Sequence, residues 1–421
     1  MRIPRAALAV ALVCVGCGSD RQEGQPSTAS PRAPETLADQ TFRLTNGLTV
    51  ELVTGPCGDE PALVVLFGVG VDHDPPGRSG MAHVLEHVLS SRASTEGAER
   101  LIEVGSEHTA YSVVAPRDRL LHELDEAAGR MAALELTGAD LDRARAAVLE
   151  SIARRSGGDA AATAMSYAAE AVQPARGHGR RGGIAAEVQA IELGELEAFW
   201  QAHFKPSNAR LIVVGSYDAA AVRRRIESAF GPLPAGSPPV LRDPADSTVT
   251  GTLVMGDAPA AVAVAVPAPA LSEPLYPAFL ILAARLASAS SRGTWESRFD
   301  PLARPETLFV TGPLSPGERP EPAAARLRAE VAAITARPLA PADVGAAQAR
   351  FGPFLGLHAD DPATCASDPR AFAYARARRA QLDTSRLAGA LEATTPEQLE
   401  QAAALFAPRH TAAVIAGGEI R

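Results

Sequence analysis

Two histidines and a glutamate within five residues form the group in this chain best suited to chemistry. His83, Glu86 and His87 follow the spacing H-x-x-E-H. In a helix, at about 100° per residue, their side chains share one polar stripe. Two imidazoles one turn apart can bind one metal ion, and the carboxylate between them can take a proton from a metal-bound water. The spacing, the reverse of H-E-x-x-H, therefore indicates a metal site that activates water.

The neighbouring residues predict the helix that must position this trio. Apolar side chains fill the opposite side of the helix: Met81, Ala82, Val84, Leu85, Val88 and Leu89. Such a helix packs its apolar face on a core. The alternative is a chance arrangement among nine histidines, which does not explain why all three polar groups avoid the apolar face.

Strand patterns and a loop lead into this helix. Asn46-Gly47, between alternating apolar positions, predicts a β-hairpin with a two-residue turn. The apolar run at 62–71 predicts a buried strand, and the Pro- and Gly-containing loop at 72–77 delivers the chain to the helix. A weak strand at 109–114 and helices at 117–135 and 138–155 follow.

The later part of the chain repeats this plan in outline. Residues 233–248 are rich in Pro, Gly and Ser and predict a linker between domains at 39–232 and 249–421. Each domain ends in a helix, a strand and a glycine. These repeats predict an α+β protein with an internal duplication. The net charge of −9, without a run of Lys or Arg, excludes nucleic acid as an expected partner.

The N-terminus has the pattern of an export signal. Residues 1–17 combine a basic start with an apolar run too short to span a bilayer. The end of this segment, with a small residue before Cys17, is similar to a bacterial lipobox, in which Cys17 would be lipidated. Cys14 stands where a lipobox usually has Leu. Residues 18–38 predict a flexible tether. We expect a periplasmic or outer-membrane lipoprotein of a Gram-negative bacterium, attached to the membrane only through its lipid; simple secretion is the alternative.

Two cysteines remain after removal of the signal. Cys57 and Cys365 are too far apart in sequence for a C-x-x-C motif. An oxidising compartment permits a disulfide between them, and two buried free thiols are the equal alternative.

Two segments resemble the insulinase/pitrilysin family of metallopeptidases, in the short branch that includes mitochondrial processing peptidase. They are residues 70–87, GVDHDPPGRSGMAHVLEH, and residues 202–209, AHFKPSNA. The resemblance implies two homologous domains, each a mainly antiparallel sheet packed with helices. It also implies that His83 and His87 ligate zinc, that Glu86 is the general base, and that a second family subunit helps to enclose a peptide substrate.

The same resemblance identifies departures in the metal-site domain. The family's third zinc ligand, a glutamate, aligns with Ser151, and its supporting glutamate aligns with Ala144. Glu150 is the nearest carboxylate, but helical phase places it away from the buried stripe. Glu107 and His108 are possible substitutes. The family presents peptides to an edge strand near an N-A-Y-T motif, which reads here as residues 109–112 and makes Ala110 and Tyr111 candidate substrate-binding residues.

The second domain departs from the family as well. The segment ending at Arg298 resembles the family segment that carries a substrate-binding Arg. The Tyr that the family has about seven residues later is absent, and Phe309 is the residue nearest to the expected strand. The resemblance thus leaves two hypotheses. One is an exported zinc endopeptidase that works with a partner; the other is a non-catalytic relative that binds peptides or serves assembly.

Overall fold

The computed structural model describes residues 37–91, 98–156, 183–237, 251–255, 261–290, 295–301, 307–314, 318–407 and 410–416. The predicted export signal with Cys17, nearly all of the predicted tether and most of the predicted linker lie outside these ranges. Within the described ranges, no helix is long and apolar enough to cross a lipid bilayer.

Six strands form the first sheet. They are β1 (Ala38–Arg43), β2 (Thr49–Thr54), β3 (Ala62–Phe67), β4 (Glu99–Val104), β5 (Thr109–Val114) and β6 (Ala209–Gly215). Their order is β1-β2-β6-β3-β5-β4, in which β2 and β6 are parallel and the other neighbours antiparallel. β3 is buried along its whole length because it is central and covered on both faces, as its continuous apolar run predicts.

The β1–β2 hairpin confirms the predicted hairpin, but its connection is longer than the predicted two-residue turn. The Leu44 N–H donates to the Leu48 carbonyl at 2.9 Å, so the connection spans Leu44 to Leu48. Gly47 has a φ of +94°, which L side chains rarely adopt. The Asn46 side-chain NH₂ donates to the Phe230 carbonyl at 2.7 Å, and its Oδ1 accepts from the Leu48 N–H at 3.3 Å, so Asn46 both braces the loop and ties it to a distant helix end.

In the described part of the chain, six helices accompany the first sheet. They are α1 (Met81–Ser91), α2 (Leu120–Ala132), α3 (Gly138–Ser156), α4 (Ala185–Ala190), α5 (Leu193–His203) and α6 (Ala219–Phe230). Their apolar sides and the inward side chains of the sheet form one core, which includes Val50, Val65, Leu85, Leu124 and Ile226. The helices predicted at 117–135 and 138–155 are confirmed as α2 and α3.

The second sheet repeats the topology of the first. Its strands are β7 (Gly251–Met255), β8 (Ala261–Pro267), β9 (Glu296–Arg298), β10 (Thr307–Pro313) and β11 (Ala412–Ala416), in the order β7-β11-β8-β10-β9. β7 and β11 are parallel, and the other neighbouring pairs are antiparallel. This order matches β2-β6-β3-β5-β4, which confirms the α+β class and supports the internal duplication.

Seven helices follow β8 among the residues that the structure describes. They are α7 (Tyr276–Ser290), α8 (Pro320–Thr335), α9 (Pro341–Leu355), α10 (Pro362–Ser367), α11 (Pro369–Leu382), α12 (Leu387–Glu392) and α13 (Pro396–Ala403). α7 is buried almost all round and lies at the centre of a second core. A helix that is apolar on every side needs such a position.

α11 packs on the face of the first sheet opposite α1, although it follows the second sheet's strands in sequence. Phe372, Ala373 and Ala377 contact Val64 and Ile212 in a third apolar cluster. Arg376, 8% exposed at its side chain, forms ion pairs with Asp39 of β1, at 2.6 Å, and with Glu51 of β2. The C-terminal part of the chain thus supplies one layer of the N-terminal sheet.

A disulfide lies beside this layer. Cys57, in the loop after β2, is bonded to Cys365 of α10, 308 residues later. Both residues are fully buried. Of the two arrangements that the sequence left open, the structure has the bridge, which joins the first sheet to the helix pair α10–α11.

Candidate metal centre

α1 brings His83, Glu86 and His87 together. The two imidazole centroids are 5.0 Å apart, and Nε2 of His83 lies 3.9 Å from a carboxylate oxygen of Glu86. One nitrogen or oxygen from each of the three side chains lies within 4.8 Å of the others. The six apolar residues predicted for the opposite face are all buried. The amphipathic pattern thus places the trio as the sequence predicted.

The donor chemistry of this group fits zinc. Zinc binds imidazole nitrogen and carboxylate oxygen, and its catalytic sites usually have three protein ligands and one water. His83 and His87 offer two nitrogens, and Glu86 offers a carboxylate that can either bind the ion or act on its water. With Glu86 reserved for the water, the trio supplies two of the three usual ligands.

Glu86 holds its proton more tightly than an ordinary glutamate. Burial raises the pKa of Glu86 to about 7, and the negative charge of Glu103 adds to the shift. Glu103 is an exposed residue of β4, so a strand of the first sheet contributes to the potential at the metal helix. A positive ion beside Glu86 would counter both causes, because it favours the ionised carboxylate.

Glu150, the candidate third ligand on α3, is not one of this group. Glu150 is exposed, Ser151 is half-buried and Ala144 is buried against the core. Among the residues that the structure describes, His83, Glu86 and His87 are the one group of three or more potential ligands close enough to share an ion. Glu150 therefore lies outside the group.

The strand at the edge of the first sheet is not the one that the family resemblance implies. Residues 109–112 were expected at an edge strand, but β5 lies between β3 and β4 and is hydrogen-bonded on both sides. Ala110 and Tyr111 are buried, with 1% and 5% exposure. Their backbone cannot also pair with a peptide, so the expectation of an edge strand there is wrong. β4, the last strand in the order, occupies that edge.

Glu107 and His108, the candidate substitute ligands, lie in the turn between β4 and β5. Both are 7% exposed, and Nε2 of His108 is 2.8 Å from the Tyr374 hydroxyl of α11. The Gln381 amide donates to the Glu107 carbonyl at 3.4 Å. The two residues thus connect the end of β4 to α11 and are not part of the group that could share an ion.

His108 makes the stability of the protein depend on pH. Burial, together with the charge of Arg378, lowers the pKa of His108 well below 6.5. Below about pH 6.5 the imidazole of His108 binds a proton in the unfolded chain but not in the folded chain. The folded state therefore loses stability as the pH is lowered. His108→Gln should remove about 1 kcal/mol of the loss between pH 7.5 and 5.5, as measured by urea unfolding. An identical loss in both proteins would contradict this assignment.

The predicted substrate-binding residue Arg298 and Phe309, the residue nearest to the expected Tyr, lie on the second sheet. Arg298 ends β9, is exposed, and pairs with Glu296 at 3.2 Å. Phe309 of β10 is buried and has no hydroxyl. Arg298 and Phe309 are opposite each other in the β9–β10 pairing. The position across from Arg298 thus has no hydrogen-bond donor on its side chain.

Comparisons with known proteins identify the class of fold. A family model described as "Peptidase M16 inactive domain" matches residues 190–350. A search of curated proteins found no significant match. Three similar solved structures are a protease from Helicobacter pylori, a peptidase M16 inactive domain from Pseudomonas fluorescens, and the first half of the periplasmic protease PqqL from Escherichia coli.

These structures cover about nine-tenths of this chain at low sequence identity. The H. pylori protease is 17% identical, with 90% of this chain and 99% of that chain covered at a TM-score of 0.72. The P. fluorescens domain is 14% identical, with 91% and 98% covered and a TM-score of 0.71. The first half of PqqL is 17% identical, with 91% and 92% covered and a TM-score of 0.61. The chain therefore has the fold of M16 peptidases.

The sequence pattern missed β4 and its Glu103. Inward-facing positions of β4 include Arg100, whose guanidinium pairs with the fully buried Glu123 of α2 at 2.6 Å. An inward charge breaks the apolar alternation that predicts a strand. The contact between His108 and Tyr374 joins residues 266 apart and leaves no local signal in the sequence.

Proposed function

We propose that this protein is an exported, zinc-dependent metallopeptidase that cleaves peptides or unfolded segments with the help of a partner subunit. The observation that carries the proposal is the grouping of His83, Glu86 and His87 on one face of α1. The fold supports it, because similar structures include a protease and half of another.

The three residues divide the chemistry between them. His83 and His87 would hold the ion, which when bound would polarise the attacking water and the scissile carbonyl. Glu86 accepts a proton from the water and passes it to the leaving nitrogen. Without an ion, burial raises the pKa of Glu86 to about 7; a bound cation would lower that pKa and favour the ionised carboxylate, which is the form that accepts a proton.

The peptide and the partner would complete the site. An extended peptide can add to a sheet edge through main-chain hydrogen bonds, and β4 is the edge strand next to α1. Because Phe309 offers no hydroxyl beside Arg298, we infer that a second family subunit, identical or different, supplies a donor to the substrate carbonyl. Glu150 is the carboxylate nearest to the family position, which Ser151 occupies, and its replacement tests whether it is a third ligand.

Export is part of the proposal. Disulfides persist in oxidising compartments such as the periplasm, and Cys57 is bonded to Cys365. The similar PqqL is a periplasmic protease. With Cys17 lipidated, the protein would be a periplasmic or outer-membrane lipoprotein.

A non-catalytic subunit that binds peptides or serves assembly is the second candidate. Ser151 and Phe309 favour it, because each lacks the group that the resemblance requires at that position. The description of the matching family model as an inactive domain also favours it.

Zinc content tests the two candidates directly. Residues 37–421, purified with zinc present, should contain about one zinc ion per chain, and His83→Ala should contain almost none, because one imidazole cannot hold the ion. His122→Ala is the matched control, since His122 is exposed on α2. No zinc in the unmodified chain would reject the enzyme and favour the second candidate.

A further inference from the structure

A carboxylate from outside α1 holds the start of this helix. Asp74 lies in the preceding loop; its Oδ2 accepts a hydrogen bond from the Gly80 N–H at 2.6 Å, and its Oδ1 accepts one from the Ala82 N–H at 2.8 Å. Amides at a helix N-terminus have no partner within the helix. Asp74 therefore satisfies two of them at once, with a different oxygen for each.

The loop that carries Asp74 is fixed by its own contacts. The Ser79 N–H donates to Glu187 of α4 at 2.8 Å, and the Ser79 hydroxyl accepts from the Ile184 N–H at 3.0 Å. Gly80 has a φ of +92°, and a Cβ there would lie 2.7 Å from Val188. The loop is thus held against α4, and the hydrogen bonds of Asp74 connect the loop to the first turn of α1.

The hydrogen bond from the Ala82 N–H to Asp74 lies next to the metal-site residues. Ala82 directly precedes His83, and each residue turns the helix by about 100°. A first turn that frays or slips by one residue would therefore move His83 away from the stripe that it shares with Glu86 and His87. The rotation of α1 in its first turn decides whether the two imidazoles face one ion.

Burial of Asp74 and its hydrogen bonds to α1 have opposite effects on its ionisation. Its carboxylate is withdrawn from water, and burial, with a smaller contribution from the charge of Asp72, raises its pKa to about 7. The folded chain therefore binds a proton that the unfolded chain releases, and folding loses stability as the pH rises toward 7. The hydrogen bonds from the Ala82 and Gly80 amides lower this pKa, so the loss of stability comes from burial of the carboxylate and not from its contact with α1.

We propose that Asp74 is a positioning residue for the metal site: its two-oxygen contact fixes the first turn of α1 and thereby the joint orientation of His83 and His87. The inference rests on the proposed zinc site for its function. The contact itself exists in the metal-free chain and is tested there separately.

Asp74→Asn tests the contact at almost constant volume. An asparagine side chain has one acceptor oxygen and one donor NH₂, so it can serve only one of the two amides and presents a donor to the other. Asp218→Asn is the matched control. Asp218 caps α6, but a single oxygen, Oδ1, accepts from both the Ala220 and Ala221 N–H groups, each at 3.0 Å, so Asn reproduces its contacts.

The experiment measures two quantities for each variant: the rate of amide hydrogen exchange in the metal-free full chain, and zinc affinity by chelator competition. In Asp74→Asn, the Ala82 amide should exchange at least tenfold faster, and zinc affinity should fall about tenfold, as for outer groups that orient metal ligands. Asp218→Asn should leave the α1 amides and zinc affinity within twofold of the unmodified chain. Asp74→Ser, which keeps one acceptor, replaces Asp74→Asn if that variant does not fold.

Two results would overturn the proposal: unchanged exchange of the Ala82 amide, or faster exchange with unchanged zinc affinity. The first would mean that Asp74 does not hold the helix, and the second that the helix start does not govern the ligands. If the unmodified chain binds no zinc, the proposed function fails, and the exchange measurement alone decides whether Asp74 holds α1.

Discussion

Glu86→Gln is expected to lower the rate constant for peptide hydrolysis about a thousandfold while zinc binding is retained. A positioned general base typically contributes two to four orders of magnitude to the rate, and Gln cannot accept the proton of the attacking water. His83 and His87 keep their nitrogens in this variant, so the ion keeps its two imidazole ligands. The measurement is kcat for a peptide substrate with the partner subunit present, together with zinc content.

Loss of activity in this variant should not come from unfolding. The pKa of Glu86 is raised from 4.5 to about 7, mainly by burial, so the ionised carboxylate disfavours the folded state. That loss of stability grows as the pH rises from 4.5 to 7 and stays constant above it. The metal-free Glu86→Gln protein should therefore be at least as stable as the unmodified protein at pH 8, as measured by its Tm.

Glu150→Gln tests the candidate third ligand separately from the general base. Glu150 is exposed on α3, and its replacement should leave both zinc content and kcat within about twofold, as for a typical surface substitution. Loss of zinc in Glu150→Gln would instead make Glu150 the third ligand. Unchanged hydrolysis in Glu86→Gln would contradict the role of Glu86 as general base.

The metal helix could be predicted from the sequence because its determinants are local. Residues three and four apart share a helix face, so His83, Glu86 and His87 are brought together by one element. The apolar residues between them identify the buried side without knowledge of the rest of the fold. The α+β class is also recoverable, because strands such as β3 and helices such as α2 have clear local patterns.

The surroundings of the helix could not be predicted in the same way, because distant segments create them. β5 was expected at an edge, but only the pairing partners decide which strand is last in a sheet, and β4 was hidden by the inward charge of Arg100. α11 reaches the first sheet from far along the chain. The bond between Cys57 and Cys365 depends on that packing, since their separation of 308 residues gives no local indication of it.

Removal of this bond is expected to cause the largest loss of stability among single structural changes. A disulfide limits the conformations of the unfolded chain, and the effect grows with the length of the closed loop. For a separation of 308 residues the chain-entropy relation gives roughly 5 to 6 kcal/mol, whereas removal of a native disulfide usually costs about 2 to 5 kcal/mol. We expect a loss of about 4 kcal/mol, which corresponds to a Tm lower by about 5 °C for a chain of this length.

The double variant Cys57→Ala with Cys365→Ala should reproduce the Tm of the unmodified protein after reduction, because both lack the same cross-link. A reductant should leave the Tm of the variant unchanged, which controls for its other effects. Loss of the bond should also make α10 and α11 more sensitive to protease, because the Arg376 ion pairs and the apolar contacts of Phe372 then hold that layer without a covalent link. Two results would mean that the disulfide between α10 and the first sheet does not form. One is an equal Tm of the unmodified protein with and without reductant. The other is the absence of a linked Cys57–Cys365 peptide pair in mass spectra of the exported protein.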